Sequence, residues 1–276
     1  MNRTRKLTPK EIGTFRQTVY DHYGTNGRML PWRQTEDPYA ILVSEIMLQQ
    51  TQVSRVIDKY TAFMNTFPDI TSLARAPLRD VLHLWQGLGY NRRALFLKRC
   101  AEAVVSSHGG TIPADREQLV KLPGIGDATA GALCAYAFNQ PVVYIETNVR
   151  TVYIHHFFTG REQVRDGDIR PLVADTLDGD NPRRWYNALM DYGVELKRRH
   201  GNPSRKSAHH QRQSPFEGSN RQVRGAILRE MTMEDGLSLR SLIDRLPFDG
   251  ETIERNMTRL EEEGLIARDR EGFSIR

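Results

Sequence analysis

The stretch that decides the fold is Lys121-Leu122-Pro123-Gly124-Ile125-Gly126-Asp127-Ala128-Thr129-Ala130-Gly131. Pro-Gly-x-Gly makes a tight hairpin, because glycine adopts backbone angles closed to other residues and lets another chain segment come close. The small residues Ala128, Ala130, Gly131 and Ala132 then begin a helix that packs closely on its neighbour. Unpaired N–H groups at such a helix start make an anion site. A plain glycine-rich turn between helices is the simpler reading of LPGIG alone. The segments on either side favour the sharper one, a phosphate-binding hairpin.

Downstream, Gln140-Pro141-Val142-Val143-Tyr144-Ile145 is an apolar run that ends on Glu146, and Thr147-Asn148-Val149-Arg150 opens a helix. A carboxylate there is either a helix-end residue favoured by the dipole or a reacting group in an apolar setting. Upstream, Ala40-Ile41-Leu42-Val43-Ser44-Glu45-Ile46-Met47-Leu48 places one acid inside an apolar helix, followed by Gln49, Gln50 and Gln52. Burial favours the protonated form of such an acid near neutrality. It also costs free energy unless the group is paired or used. The glutamines are suited to hydrogen bonding with base edges, or simply end the helix.

Working outward, the first two hundred residues read as helix. Val53, Val56, Ile57, Tyr60, Phe63 and Met64 share one helical face, as do Trp185, Ala188, Leu189, Tyr192 and Leu196. Breakers recur at Phe67-Pro68, Ala76-Pro77, Gly87 with Gly89, Gly109-Gly110, Ile112-Pro113 and Gln140-Pro141. No period-two alternation is sustained, so the fold class is all-α. Lys197, Arg198, Arg199, Arg205, Lys206 and Arg212 form a basic stretch over 197–217, read as a linker or a phosphate-contacting arm. Beyond it, Val223, Ile227 and Leu228 predict a helix, Ser238 caps a second, and Asp249-Gly250 opens a third that Gly264 stops. Two short strands near 265–268 and 272–275 complete a winged-helix plan. The domains are therefore expected at 1–196, 197–217 and 218–276. Glu251, Glu254 and Glu261–Glu263 make the third helix a poor reader of a phosphate-lined groove, so docking is the expected role.

The 276 residues carry a net charge of +5. Residues 218–276 hold ten Arg, no Lys and twelve acids, which leaves that segment at −2 and residues 1–217 at +7. The two cysteines, Cys100 and Cys134, exclude a disulfide framework, a four-cysteine zinc site and a four-cysteine iron–sulfur cluster. No cofactor and no metal are expected. Neither a signal peptide nor a spanning segment is read, the reducing cytoplasm is the default for a chain with two cysteines, and a monomer is the default state.

Together these residues resemble the helix-hairpin-helix DNA glycosylase superfamily, and within it the adenine DNA glycosylase (MutY) family. The resemblance covers about 28–195. It rests on Leu30-Pro31-Trp32-Arg33, Asp37-Pro38-Tyr39, Ser44 to Val53, Leu84-Trp85-Gln86-Gly87-Leu88-Gly89-Tyr90, Leu122 to Gly126, and Met190-Asp191-Tyr192-Gly193. It implies that Glu45 protonates a flipped adenine at N7 and that Glu146 stabilises the oxocarbenium ion, with Asn148 in support. Gln50, beside Gln49, would wedge into the stack. Arg33 and Trp32 would line the base pocket. DNA would be held by Leu122, Gly124, Gly126 and Asp127, with Lys197, Arg198 and Arg199 adding phosphate contacts. The partner implied is double-stranded DNA carrying a mismatch or lesion.

Four departures stand out. Glu146 replaces the family's aspartate. The cluster cysteines are absent from the segment after Gly193. Asn91 stands where the family has an aromatic. The winged-helix candidate replaces the family's reader of 8-oxoguanine. Bifunctional relatives carry a lysine nucleophile just after the hairpin, where this chain has Ala128, so a monofunctional glycosylase is expected. The expected substrate is adenine opposite 8-oxoguanine or guanine. Rival readings are a glycosylase for thymine or uracil opposite guanine, or for another damaged base, and a lesion-binding protein without chemistry.

Overall fold

A computed structural model describes residues 6–210, 215–269 and 272–276. In chain order the helices are α1 (Pro9–Asn26), α2 (Pro38–Leu48), α3 (Val53–Thr66), α4 (Ile70–Arg75), α5 (Leu78–Trp85), α6 (Arg92–His108) and α7 (Arg116–Leu119). They continue with α8 (Asp127–Tyr136), α9 (Thr147–Phe157), α10 (Asp166–Thr176), α11 (Pro182–His200), α12 (Asn220–Met233), α13 (Leu239–Arg245) and α14 (Gly250–Glu262). Single 3-10 turns occupy Pro31–Arg33 and Pro203–Lys206. Strands β1 (Ile266–Arg268) and β2 (Phe273–Ile275) form an antiparallel pair with Ala267 opposite Ser274. The all-α class is correct, and the proline and glycine breakers fall between helices.

The described residues fall into two compact units. The first takes in the described residues of Met1–Ile41, Ala114–Val120 and Ile125–Arg212; the second, those of Leu42–Pro113, Lys121–Gly124 and Gln213–Arg276.

In the first unit, α11 packs on α9, α1 and α8. Its core gathers Phe15, Val19, Val152, Tyr153, Ile169, Val173, Trp185 and Leu189. Phe15 meets the Tyr153 and Trp185 rings at 5.3 and 6.0 Å. Gly193 lets α11 come close to α9, since a Cβ there would lie 2.8 Å from Asn148 Cβ. The basic stretch departs from a plain linker: Lys197, Arg198 and Arg199 lie on the last turn of α11. Helix propensity and the apolar face ending at Leu196 carry the helix past the point where composition turned polar. Arg212 lies outside the described residues.

In the second unit, α4 and α5 pack on α6, and α3 on α5. Phe63, from the face read in the sequence, meets Trp85 at 6.1 Å. The C-terminal elements follow the expected order of three helices and a hairpin. Ser238 and Asp249 cap α13 and α14 with their side chains, and Gly264 takes φ +76° after α14. Leu237 adds a bridge to Phe273. α12 packs against α5, with Gln86 donating to the Thr232 hydroxyl at 2.8 Å. Each unit holds one buried cysteine: Cys134 in the first, Cys100 in the second.

Candidate nucleic-acid interface and catalytic site

Glu146 caps α9. Its Oε1 accepts from the Val149 N–H at 2.8 Å and from the Asn148 N–H. The helix-end reading of this carboxylate is thus met by its own hydrogen bonds. Asn148 adds its side-chain amide, Nδ2 lying 3.3 Å from Glu146 Oε2 and 3.6 Å from Met190 Sδ. Lys197 Nζ donates to Asn148 Oδ1 at 2.7 Å. Burial pushes the Glu146 carboxyl above the usual range. The N–H of Val149, the charge of Lys197, the N–H of Asn148 and the charge of Arg150 oppose it. Arg150 is itself held by Asp166 through two 2.7 Å hydrogen bonds.

Glu45 sits half-buried on α2 between buried Ser44 and Ile46. Helix α2 stops at Leu48, so Gln49 and Gln50 form a turn and Gln52 stands at the start of α3. Gln50 is exposed with φ +54°, a left-handed backbone that is strained for a residue with a side chain. One residue fixes this turn. Arg93 Nη1 donates to the carbonyls of Ile46, Met47 and Gln49 at 2.8, 2.9 and 2.6 Å. Its Nη2 donates to Thr51 Oγ1, Leu88 O and Gly89 O at 3.1, 3.1 and 2.9 Å. A cation on the last carbonyls of a helix also suits the dipole. Burial lowers the Arg93 pKa to about 10.

In the hairpin, Gly124 has φ +76°, and a Cβ would lie 2.6 Å from Phe96 Cβ. Glycine is required there on both counts. Gly126 has an extended backbone and is exposed, and no side chain caps the start of α8. Leu122 is buried, so its side chain is not placed to touch DNA as the resemblance implied. Asp127 is exposed and paired with Arg116 at 2.8 Å. Ala128 is exposed on the first turn of α8.

Trp32 is buried, and Arg33 is committed to Asp191 at 2.8 and 2.9 Å. Asp191 also binds Arg28, and these cations hold its carboxyl below the usual range despite burial. Arg33 therefore ties the Pro31–Arg33 turn to α11. Arg198 and Arg199 are exposed, yet both bind Glu195, whose pKa they hold at about 2.

Sequence reasoning missed Arg93, Asp191 and the inward direction of Lys197. Asp191 lies within a motif that carried the resemblance, but nothing in the sequence pairs it with Arg33. Tyr90 takes φ +48°, and its hydroxyl accepts from Arg221 at 3.1 Å.

Residues 43–167 match the HhH-GPD superfamily of base excision DNA repair proteins. That span contains both Glu45 and Glu146. An adenine DNA glycosylase of Mycobacterium tuberculosis is 33% identical over 227 residues, covering 75% of this chain and 74% of the relative. The chain belongs to the adenine DNA glycosylase family. Adenine DNA glycosylases of Buchnera aphidicola and Homo sapiens are 36% and 42% identical, covering 65% and 67% of this chain. The chain spans only 52% and 36% of those two relatives. Among solved structures, a thermostable thymine-DNA glycosylase superposes with TM-score 0.59 at 26% identity, covering 67% of this chain and 87% of that one. A trapped endonuclease III–DNA covalent intermediate gives 0.58 at 18% identity, covering 76% and 92%, and supports the helical fold.

The iron–sulfur cluster implied by the resemblance does not fit this adenine DNA glycosylase family member. Four thiolates are needed, and the two cysteines are buried, one in each unit. Among the described residues no group of three or more His, Cys, Asp or Glu is placed to hold a metal. No helix among them is long and apolar enough to cross a membrane.

Proposed function

We propose that the protein is a monofunctional DNA glycosylase that hydrolyses the N-glycosidic bond of adenine mispaired with 8-oxoguanine or guanine. The observation that carries this reading is the match of 43–167 to base excision repair proteins, which takes in both carboxylates and the hairpin. Glu45 donates a proton to the flipped adenine, making it a leaving group. Glu146, as carboxylate, faces the oxocarbenium ion that forms at C1′, and water completes the hydrolysis. Its direct bonds to the N-terminus of α9 and to Asn148 support that role. Gln50, held in its strained turn, is the wedge. The start of α8, which carries no side-chain cap, takes a DNA phosphate, aided by Arg198 and Arg199. Ala128 offers no amine for strand cleavage.

The partner in this reading is mismatched duplex DNA, acted on by a cytoplasmic monomer without a cofactor. Residues 1–196 form the glycosylase domain and 197–217 a DNA-contacting segment. Residues 218–276 form a winged-helix-like docking module, since Glu263 is engaged by Arg224 at 2.5 Å and α14 carries a surplus of acids.

A second reading, release of thymine or uracil opposite guanine, is favoured by the likeness to the thymine-DNA glycosylase. Single-turnover excision from A:8-oxoguanine, A:G, T:G and U:G duplexes separates the two. Release of adenine, reduced about 10²–10⁴-fold by Glu45→Gln, is expected. Release only from T:G or U:G would replace the adenine reading. Mismatch binding with no base released would favour a binding protein.

A further inference from the structure

Asn148 is the middle of a hydrogen-bonded row that joins α11 to the cap of α9. Its carboxamide has one donating and one accepting end. Lys197 Nζ, a donor only, occupies the accepting end at 2.7 Å. The NH2 end must then face Glu146, whose Oε2 lies 3.3 Å away. Gly193, one turn earlier on α11, makes the approach possible, because a Cβ there would sit 2.9 Å from the Asn148 carbonyl oxygen. Lys197 lies in the most basic stretch of the chain, yet it is half-buried and turned inward, unlike exposed Arg198 and Arg199.

We propose that Lys197 is a positioning residue for Glu146: it fixes the Asn148 amide and supplies the positive charge that balances the carboxylate. The proposal rests on the reading of Glu146 as the glycosylase's carboxylate. Of the other charges near α9, Arg150 also favours the Glu146 carboxylate, though less than Lys197 does. Arg150 on α9 is bound by Asp166 of α10. Asp191 of α11 is bound by Arg28 and Arg33. The Pro203–Lys206 turn brings Arg205 and Lys206, and Lys206 pairs with Glu162 at 3.4 Å. His155 and His200 stack on each other at 4.7 Å, and His156 contacts the Tyr192 hydroxyl at 2.9 Å. Burial lowers the Lys197 pKa and the charge of Glu146 raises it, as for a cation paired inside the fold.

Two readouts on the full chain test this. The first is a ¹³C-carboxyl NMR titration of Glu146 in the free protein, assigned with Glu146→Gln. The second is single-turnover adenine release as a function of pH. Lys197→Met should raise the Glu146 midpoint by about one pH unit and move the acidic limb of the rate profile up equally. Excision below that midpoint should fall roughly tenfold. Lys197→Arg should keep both near wild type. Lys197→Gln keeps a donor for Asn148 without the charge and should shift the midpoint as Lys197→Met does; it serves as well if Lys197→Met does not fold. An unchanged Glu146 midpoint in a folded neutral variant overturns the proposal. Weaker duplex binding with a shallower salt dependence and an unmoved midpoint would instead assign Lys197 to a phosphate. Should the wild type release no base from any duplex, the functional reading fails, while the NMR titration still decides the role of Lys197.

Discussion

Glu146 combines two tasks that pull its chemistry in opposite directions. As a cap it gains from charge, because it accepts from the first N–H groups of α9. As a half-buried acid it loses by charge, and burial is the larger effect. Its pKa in the folded chain therefore lies above that of the unfolded chain. Between those two values the folded state binds more protons, so this residue's contribution to stability declines as pH rises through that window. Glu146→Gln keeps an acceptor for the α9 N–H groups and removes the titration. Stability of this variant should fall less than wild type as pH rises above the ordinary carboxylate range. Glu146→Ala also loses the cap, at a cost of about 1 kcal/mol. Urea melts at several pH values distinguish the two, and parallel pH profiles of wild type and Glu146→Gln would count against the raised pKa. The sequence carried both features of this position, the apolar run before it and the helix after it. It did not carry Lys197, which is 49 residues from Asn148 and meets it only once α11 lies on α9.

The turn 49–52 shows how an element with little packing of its own is held. Its backbone is strained at Gln50, and Arg93 on α6 supplies the restraint from the last carbonyls of α2 and from Leu88 and Gly89. Arg93→Met would leave these buried acceptors without their donor. A loss of about 3 kcal/mol is expected, the upper part of the range for an unsatisfied buried group. Hydrogen exchange should quicken at the end of α2, and unchanged exchange there would refute the clamp. Local signals made the hairpin and the C-terminal helices legible: Gly124 needs its φ, and Ser238 and Asp249 are caps with their own hydrogen bonds. Arg93 gave no such signal. An arginine on a helix reads as solvated until tertiary structure brings carbonyl oxygens around it. The end of α11 misled in the other direction, since polar composition suggested a loop where a helix continues to His200.

At the scale of the whole chain, composition and compactness divide the protein differently. Charge sets 218–276 apart, whereas packing joins it to α3–α6, through Gln86 with Thr232 and through the Arg79–Asp235 ion pair. Removing 218–276 should therefore lower the melting temperature of what remains, by exposing the face of α5 that α12 covers. A truncated chain that melts at the wild-type temperature would show that the C-terminal module adds nothing to its unit.

Cys100 and Cys134 give a way to observe the two units one at a time. Each thiol is buried, and the Cys100 pKa is pushed up to about 12. A reagent that needs thiolate reaches either one only when its surroundings open. Thiol labelling followed by peptide mass analysis then times the opening of each unit from a single native sample. Equal labelling rates would mean that the halves open together. Unequal rates would rank them by local stability, with no engineered reporter in either.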